Sequence, residues 1–228
     1  MNIITYYHAI TRRLTGILQR LYFLLLQKPL YQLSFNSGNN RFVCKGILIN
    51  STVKLIGGGN QVVINEGVML KNMHIYVSGM NNKLILHKGV KFYNGALITL
   101  ENEGNTLEIG ERSDFQGCSF IIREYNTTVT IGKDCMFSAN IYVRNGDSHT
   151  IYNEHGEKVN PAKDVTIGDR VWIGYGATIL KGSVIENDSI IGTQSVVTGK
   201  HIPEGSIAAG NPVKVLKQGF HWGREKIR

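Results

Sequence analysis

From residue 165 to residue 217, an aliphatic residue returns every six positions. These positions are Ile167, Ile173, Ile179, Ile185, Ile191 and Val197. Six is a multiple of the two-residue period of a strand, so the side chains point to one face of extended segments. On a helix, steps of six residues would turn successive members by about 240° and spread them round the axis. The pattern therefore predicts a row of short strands.

Small and turn-forming residues follow the aliphatic positions and let the backbone bend at regular intervals. Hexapeptide repeats of this kind are typical of a parallel β-helix, in which three repeats form one triangular coil of about 18 residues. Ordinary short strands joined by glycine turns are the alternative, but an unbroken run of matches favours the β-helix. Residues 165–217 are therefore predicted to form a regular hexapeptide β-helix.

Residues 37–143 show the same pattern with a longer period. Four aliphatic residues that follow Asn-containing segments lie 22, 23 and 22 residues apart, namely Ile64, Leu86, Ile109 and Ile131. We interpret this as the same coil with about four residues added at one corner, where Asn and Gly tolerate a left-handed backbone. We expect the Asn side chains to stack from coil to coil and to bond to the neighbouring backbone.

Within these longer coils the six-residue step continues, through Ile109, Phe115 and Ile121 and again through Ile131, Phe137 and Val143. Both blocks together predict about eight coils at the spacing of neighbouring parallel strands. The predicted fold class is therefore all-β, with a parallel β-helix as its main body.

Two segments fall outside the repeat. Residues 144–164 are polar and charged, and a loop of this length inside a regular solenoid is often functional. We predict that it protrudes from the β-helix. Residues 218–228 form a basic, aromatic tail, which we expect to pack on the last coil.

Residues 1–36 differ from the repeats because leucine and isoleucine recur there at three- and four-residue spacings, which predicts a helix ending near Pro29. Its longest apolar run is far short of the about 20 residues that cross a membrane, and no signal-peptide cleavage site follows. Two interpretations stay open. The helix caps the first coil and covers its strand edge, or it makes peripheral contact with a membrane through a basic side that includes Arg12, Arg13 and Arg20.

The chain of 228 residues is long enough for one sizeable domain, and Lys plus Arg exceed Asp plus Glu by eight. This charge suits polyanionic partners such as an acidic glycan, anionic lipid or a phosphate-rich cofactor. We expect no nucleic-acid partner, because no nucleic-acid-binding module is visible. The three cysteines, Cys44, Cys118 and Cys135, lack paired spacing and indicate a reducing compartment, hence the cytoplasm or, if the helix binds lipid, the inner face of the membrane.

Three runs of sequence resemble the hexapeptide-repeat acyltransferases: VTIGDRVWIG at 165–174, IIGTQSVVT at 190–198 and AAGNPVKV at 208–215. The resemblance covers residues 105–217 well, and within the family the chain is most similar to bacterial O-acetyltransferases that act on sugars of capsules and lipopolysaccharide. It implies a left-handed β-helix, a homotrimer with sites between neighbouring copies, acetyl-CoA as donor and a sugar or polysaccharide as acceptor. Two competing hypotheses stay open. The protein could be an N-acyltransferase that acts on an amino sugar, or a trimeric scaffold without activity.

The resemblance also assigns a catalytic base. His149 ends the run Asp147-Ser148-His149 and lies six residues after Val143, and a D-x-H at this point supplies the base in the family. A histidine suits the removal of a hydroxyl proton, and we expect its second nitrogen to be held by a carbonyl or a carboxylate, with Asp147 as one candidate. The alternative is a surface loop histidine. We expect no metal, because His155 is the nearest second ligand and catalytic zinc usually has three.

By the same resemblance, Trp172 forms a flat wall beside the acetyl group or the sugar, with simple packing on a coil face as the alternative. The implied coenzyme A contacts are Tyr175, Thr193 and Thr198, with Lys214 and Lys217 meeting the phosphates unless they are merely solvated charges. No nucleophile elbow is present in the sequence. Residues 144–164 would then be the catalytic loop, and the sugar hydroxyl would attack acetyl-CoA directly.

Overall fold

A computed structural model describes residues 31–35 and 38–226 of the chain, and these residues form 25 short strands that wind round three faces of a prism. Face A contains β1 (Tyr31–Phe35), β4 (Ser51–Gly58), β7 (Met73–Met80), β10 (Ala96–Leu100), β13 (Cys118–Ile122), β16 (Ile141–Arg144), β19 (Thr178–Ile179) and β22 (Val196–Val197). Face B contains β2 (Arg41–Cys44), β5 (Gln61–Ile64), β8 (Lys83–Leu86), β11 (Thr106–Ile109), β14 (Thr128–Ile131), β17 (Val165–Ile167), β20 (Val184–Ile185) and β23 (His201–Ile202). Face C contains β3 (Ile47–Ile49), β6 (Met69–Lys71), β9 (Lys91–Phe92), β12 (Asp114–Phe115), β15 (Met136–Phe137), β18 (Trp172–Ile173), β21 (Ile190–Ile191), β24 (Ile207–Ala209) and β25 (Lys214–Lys217).

Each coil contributes one strand to each face, so the described residues stack eight parallel strands on every face. The ninth strand of face C, β25, pairs antiparallel with β24. The predicted all-β fold of about eight coils is therefore confirmed, and it is the left-handed β-helix that the family resemblance implied. We number the coils one to eight from β1.

The strand register confirms both predicted periods. On face B, Ile64 lies beside Leu86, Leu86 beside Ile109, and Ile109 beside Ile131. The same column continues to Ile167 and, 18 residues later, to Ile185. The six predicted members of the hexapeptide run are at most 1% exposed: Ile167, Ile173, Ile179, Ile185, Ile191 and Val197. Sequence periodicity thus located the core of the prism.

One predicted member of the six-residue step is wrong. Phe120, rather than Ile121, lies beside Val143 in the interior column, and Ile121 pairs with Arg144 in the outward column. The corner between β12 and β13 is one residue shorter than the step assumed, so the column passes from Phe115 to Phe120. Strand alternation then turns Ile121 to the outside of face A.

Stacked phenylalanines fill the interior of coils three to five. The rings of Phe92 and Phe115 stack at 4.3 Å between centroids, and Phe115 and Phe137 lie 4.6 Å apart. Phe120 meets Phe115 edge-on at 5.9 Å. All four rings are fully buried, and each buried side chain of this size stabilises the fold by about 1.5–3 kcal/mol. These packed rings lie inside coils whose asparagine-containing corner is described next.

An asparagine ladder occupies the corner between faces A and B. Each coil places two consecutive residues at this corner, such as Gly59-Asn60 and Asn81-Asn82. The first residue of each pair has a left-handed backbone, with φ 69° at Gly59 and 58° at Asn81. The second residue is fully buried, and its side-chain oxygen accepts the backbone N–H of the next rung, from Asn82 to Asn60 and from Asn105 to Asn82, both at 2.9 Å. The predicted Asn stacking is confirmed, and it satisfies backbone groups that the wider corner would leave unpaired.

The expected N-terminal helix, including its proposed membrane contact, falls mainly on residues 1–30, which lie outside the described residues. Among the residues that the structure describes, there is no helix long and apolar enough to span a membrane. At the other end, residues 218–226, which we call the strap, contact the last coil through a hydrogen bond from the Phe220 N–H to the Gly205 carbonyl, at 2.9 Å. The strap then runs back along the prism towards coils six and four.

Candidate active site

The coil is interrupted at the corner between faces A and B of coil six, where β16 ends at Arg144 and β17 begins at Val165. Residues 145–164, the His loop, leave the prism here. The loop folds back on itself, with an antiparallel bridge between Tyr152 and Lys158. Ile151, Tyr152 and Val159 are more than half exposed near this bridge. The protrusion predicted from the polar interruption is therefore present, and it carries His149.

The Asp147 carboxylate joins the start of the His loop to Lys181 of the prism and to Asn160 near the end of the loop. The Asp147 carboxylate accepts hydrogen bonds from Lys181 Nζ at 2.5 Å and from Asn160 Nδ2 at 2.7 Å. Lys181 follows β19 in coil seven and also donates to the Asn160 carbonyl at 3.1 Å. The bond from Lys181, followed by that from Asn160, lowers the pKa of Asp147 below its ordinary value. Asp147 therefore stays ionised and fixed to the coil beneath it.

Ser148 is held from the other side by coil five. Its backbone N–H donates to Glu124 Oε1 at 2.9 Å, and its hydroxyl accepts a hydrogen bond from Arg144 Nη2 at 2.5 Å. The φ angle of Ser148 is 64°, a left-handed conformation that costs energy for a residue with a side chain. The turn before His149 is thus set by contacts on both sides rather than by local preference.

His149 is exposed and lines an open cleft with Glu124, Ser148, Lys158 and Asn160. Its backbone carbonyl accepts a hydrogen bond from Asn160 Nδ2 at 2.8 Å. The same amide group also donates to the Asp147 carboxylate, so Asn160 joins the Asp147 side chain to the main chain of His149. The carboxylate of Asp147 faces Lys181 and Asn160 and not the imidazole, which leaves it in the turn role that the sequence allowed as an alternative.

Trp172 lies on face C of coil six. It is 38% exposed and is the outward residue of β18, between Met136 of β15 and Ile190 of β21. One side of its indole packs against Trp222 of the strap, with 6.1 Å between ring centroids. The indole therefore combines packing on a coil face with a free surface on which a substrate could lie.

The predicted coenzyme A contacts fall on three parts of the prism. Tyr175 and Thr193 occupy the corner between faces C and A, where Asn140 Nδ2 donates to the Tyr175 hydroxyl at 2.6 Å. Thr198 follows β22 at the corner between faces A and B, on the side of the His loop. Lys214 and Lys217 are exposed on β25, and the Lys217 ammonium lies 5.8 Å from the centre of the Phe220 ring.

Within one chain, the structure does not bring all the predicted residues together. In a triangular coil the corner between faces A and B lies opposite face C. His149 and Thr198 therefore lie on one side of the prism, and Trp172, Lys214 and Lys217 lie on the other. A site that uses both groups has to be completed by something outside this chain.

The residues that hold the loop were not predicted from the sequence. Lys181 was missed, although it follows Ile179 in the column that contains Val143 and so lies at the corner where the loop starts. The six-residue spacing of the sequence would have been enough to place Lys181 at this corner. Trp222 was missed because the strap has no period that could place it.

Four other histidines of the described residues have contacts that suit structural roles. The imidazoles of His74, His87 and His201 bond to Thr52, Glu108 and Glu186, respectively, at 3.0, 2.6 and 2.8 Å. His155 lies 3.5 Å from Glu154 in the His loop. Across residues 31–35 and 38–226, no three His, Cys, Asp or Glu side chains form a group that could hold a metal ion.

A β-helix with a histidine on a loop that interrupts one coil is what the resemblance to the hexapeptide-repeat acyltransferases implied. The family model for the bacterial transferase hexapeptide (six repeats) matches residues 164–199. The chain is 33% identical to a polysialic acid O-acetyltransferase of Neisseria meningitidis over 180 residues, which is 78% of this chain and 82% of that protein. It therefore belongs to the hexapeptide-repeat O-acetyltransferases.

Two further comparisons agree. A polysialic acid O-acetyltransferase of Escherichia coli O1:K1 is 34% identical over 140 residues, a match that spans 61% of this chain but only 44% of that relative. The crystal structure of NeuO, an acetyltransferase specific for polysialic acid, superposes with a TM-score of 0.79 at 32% identity. This match covers 87% of this chain and 91% of NeuO, so the similarity extends well beyond the hexapeptide run.

Proposed function

We propose that this protein is an O-acetyltransferase that moves an acetyl group from acetyl-CoA to a sugar hydroxyl of a bacterial surface polysaccharide or its precursor. A sialic acid polymer is the favoured acceptor. The observation that carries the proposal is the similarity to two polysialic acid O-acetyltransferases, one of which aligns over 82% of its length. The formal net charge of +8 suits an acidic polymer.

In the proposed reaction, His149 is the general base. Its imidazole takes the proton of the sugar hydroxyl while the hydroxyl oxygen bonds to the thioester carbonyl carbon and the carbon–sulfur bond breaks. The imidazolium then gives the proton to the departing thiolate, so that coenzyme A and the acetyl ester are released. No covalent acyl-enzyme is required. The contacts of Asp147, Ser148 and Asn160 support this role because they fix the main chain on both sides of the base.

We further propose that each site lies between two copies in a homotrimer. His149 and Trp172 lie on opposite sides of one prism, so a cleft that contains both takes the His loop from one copy and face C from its neighbour. The exposed apolar side chains Ile151, Tyr152 and Val159 near the His-loop bridge support this arrangement, because a subunit contact would cover them.

Acetyl-CoA would lie along the cleft. Tyr175, Thr193 and Thr198 are proposed to contact the pantetheine arm, and Lys214 and Lys217 the phosphates. Both lysines are exposed on an edge strand, where a negatively charged group can reach them. Trp172 would form the wall beside the acetyl group. We assign the enzyme to the cytoplasm, in keeping with its three free cysteines, and a membrane contact through residues 1–36 stays a prediction.

The proposal is tested by following acetyl transfer from acetyl-CoA to polysialic acid, to free sialic acid and to an amino sugar. We expect ester formation on the polymer or its sugar, and at least an about hundredfold lower kcat for His149→Ala, the usual effect of losing an acid–base group. His155→Ala is the matched control, because His155 lies in the same loop but pairs only with exposed groups. Acetylation of the amine alone would favour N-acyl transfer, and no coenzyme A binding would favour a scaffold.

A further inference from the structure

The strap follows one edge of the prism across five coils. It starts at coil eight, where the Phe220 N–H bonds to the Gly205 carbonyl. At coil six, the Trp222 indole N–H donates to the Arg170 carbonyl at 2.5 Å. At coil four, the Arg224 guanidinium forms an ion pair with Asp114. A segment without any repeat is thus fixed at regular intervals along the edge between faces B and C.

The central contact of the strap is made beside Trp172. The carbonyl that Trp222 binds belongs to the residue two positions before Trp172, and the two indole rings lie 6.1 Å apart with an angle of 49° between their planes. The Arg224 guanidinium covers the Trp222 ring at 5.6 Å. Trp222 therefore contacts both Trp172 and Arg224, and the distance between the two indole rings lies within the range in which aromatic pairs attract each other.

Trp172 has few other restraints. On the outer surface of face C, the residues beside it on the neighbouring strands are Met136 and Ile190. Met136 has a flexible side chain and Ile190 a small one, so neither holds the indole in one orientation. The side chain is 38% exposed, so without the strap it could rotate across the face. A tryptophan that aligns reacting groups needs one orientation, and a displacement of about 1 Å can cost up to about 100-fold in rate.

We infer that Trp222 is a positioning residue that holds the Trp172 indole in its working orientation, and that Arg224 is the latch that holds Trp222. The inference rests on the proposed function, because it takes Trp172 as part of the acetyl-transfer site. Arg224 also donates to the Cys135 carbonyl at 3.2 Å, so it fixes the strap to coil five as well as to Asp114.

The kinetic test is a double-mutant cycle with Trp172→Ala and Trp222→Ala. If Trp222 acts through Trp172, Trp222→Ala lowers kcat about tenfold in the native background and causes no further loss once Trp172 is alanine. Additive losses would mean that Trp222 contacts the substrate itself or only supports the fold, and would overturn the inference. His221→Ala, an exposed neighbour on the strap, is the control and should retain the native kcat.

A spectroscopic test needs no acceptor, so it is independent of the proposed function. Trp172 and Trp222 are the only two tryptophans of the chain, and two indoles this close give a coupled band in far-ultraviolet circular dichroism. We expect Trp172→Phe and Trp222→Phe each to remove this band and Arg224→Ala to weaken it. Persistence of the band in Trp222→Phe would overturn the pairing.

The exposure of the Trp172 indole, which should rise if the strap no longer restrains it, is measured by fluorescence quenching, since Trp172 is the only tryptophan left in variants of Trp222. Acrylamide should quench it more strongly in Trp222→Ala than in Trp222→Phe, which keeps an aromatic ring in place. Equal quenching in both variants, with unchanged melting temperatures, would show that the strap does not restrain the indole and would overturn the inference even if the enzyme acetylates another polymer.

Discussion

The Lys181 ammonium lies 2.5 Å from the Asp147 carboxylate and joins the His loop to the coil beneath it. Lys181 is 79% buried at its side chain, whereas the Asp147 side chain is 40% exposed. The buried partner is therefore the fixed point, and the loop is attached to it. Because His149 lies two residues after Asp147, this pair sets where the imidazole can reach.

Lys181→Met tests the attachment. Methionine keeps much of the buried side chain but cannot donate to Asp147 or to the Asn160 carbonyl, so the loop should lose its fixed position. We expect kcat to fall about tenfold with little change in the KM for acetyl-CoA, as for a misplaced catalytic group. Lys181→Arg should restore part of the rate. Lys88→Met, which removes an exposed pair with Glu66, is the control, and equal losses in the two variants would contradict the attachment.

The pH dependence of this pair follows from the lowered pKa of Asp147. A carboxylate with a lowered folded pKa stabilises the fold fully above its ordinary value of about 3.9 and loses that contribution as the pH falls through the lowered value. The Asp147 carboxylate should therefore stay ionised and paired above about pH 5. We expect kcat/KM profiles of the native protein and of Asp147→Asn to differ in height but to share the same acid limb. A shifted limb would mean that Asp147 titrates in this range.

The proposed phosphate contacts are tested with two donors. Lys214→Ala and Lys217→Ala should each raise the KM for acetyl-CoA by about tenfold, the effect of one lost charged hydrogen bond. The KM for acetyl-pantetheine, which lacks the phosphorylated adenosine end, should not change. Similar losses with both donors would show that these lysines support β25 rather than bind phosphate.

The asparagine ladder should contribute strongly to stability. Asn82 is fully buried, accepts the Asn105 N–H and donates to the carbonyls of Ser78 and Asn102, each at 2.9 Å. Asn82→Ala leaves these groups unpaired, and we expect the free energy of unfolding to fall by about 3 kcal/mol. The measurement is denaturant unfolding at one fixed protein concentration. Asn94→Ala, which breaks an exposed bond to Gln116, should change it by less than about 0.5 kcal/mol, and similar losses in both variants would contradict a structural role for the ladder.

Periodicity explains how much of the fold could be predicted. Ile64 and Leu86 could be placed side by side because every coil repeats the same corner, so spacing alone gives the register. The choice between Phe120 and Ile121 could not be made in this way. Three successive apolar residues, from Phe120 to Ile122, fit the interior equally well, and the length of the preceding corner decides between them.

The site was predictable only where it follows the lattice. The position of His149 at the start of the loop could be predicted because the repeat stops beside it, whereas its role as the base comes from the family resemblance and stays a prediction. The strap has no repeat, and the bond between Trp222 and the Arg170 carbonyl joins positions 52 residues apart. Similarly, the partner of Asp147 depends on the fold of coil seven, which brings Lys181 to the loop from 34 residues away. Such contacts come from the stacking of coils and leave no pattern in the local sequence.

Subunit complementation tests most directly whether acetyl transfer takes His149 from one copy and Trp172 from the next. His149→Ala and Trp172→Ala, each with strongly reduced activity as a homo-oligomer, are co-expressed with different tags, and doubly tagged oligomers are assayed. If neighbouring copies share each site, one of the three interfaces in every doubly tagged trimer joins an intact His149 to an intact Trp172, so about a third of native activity should return. Mixed oligomers with no more activity than the two parents would contradict a shared site.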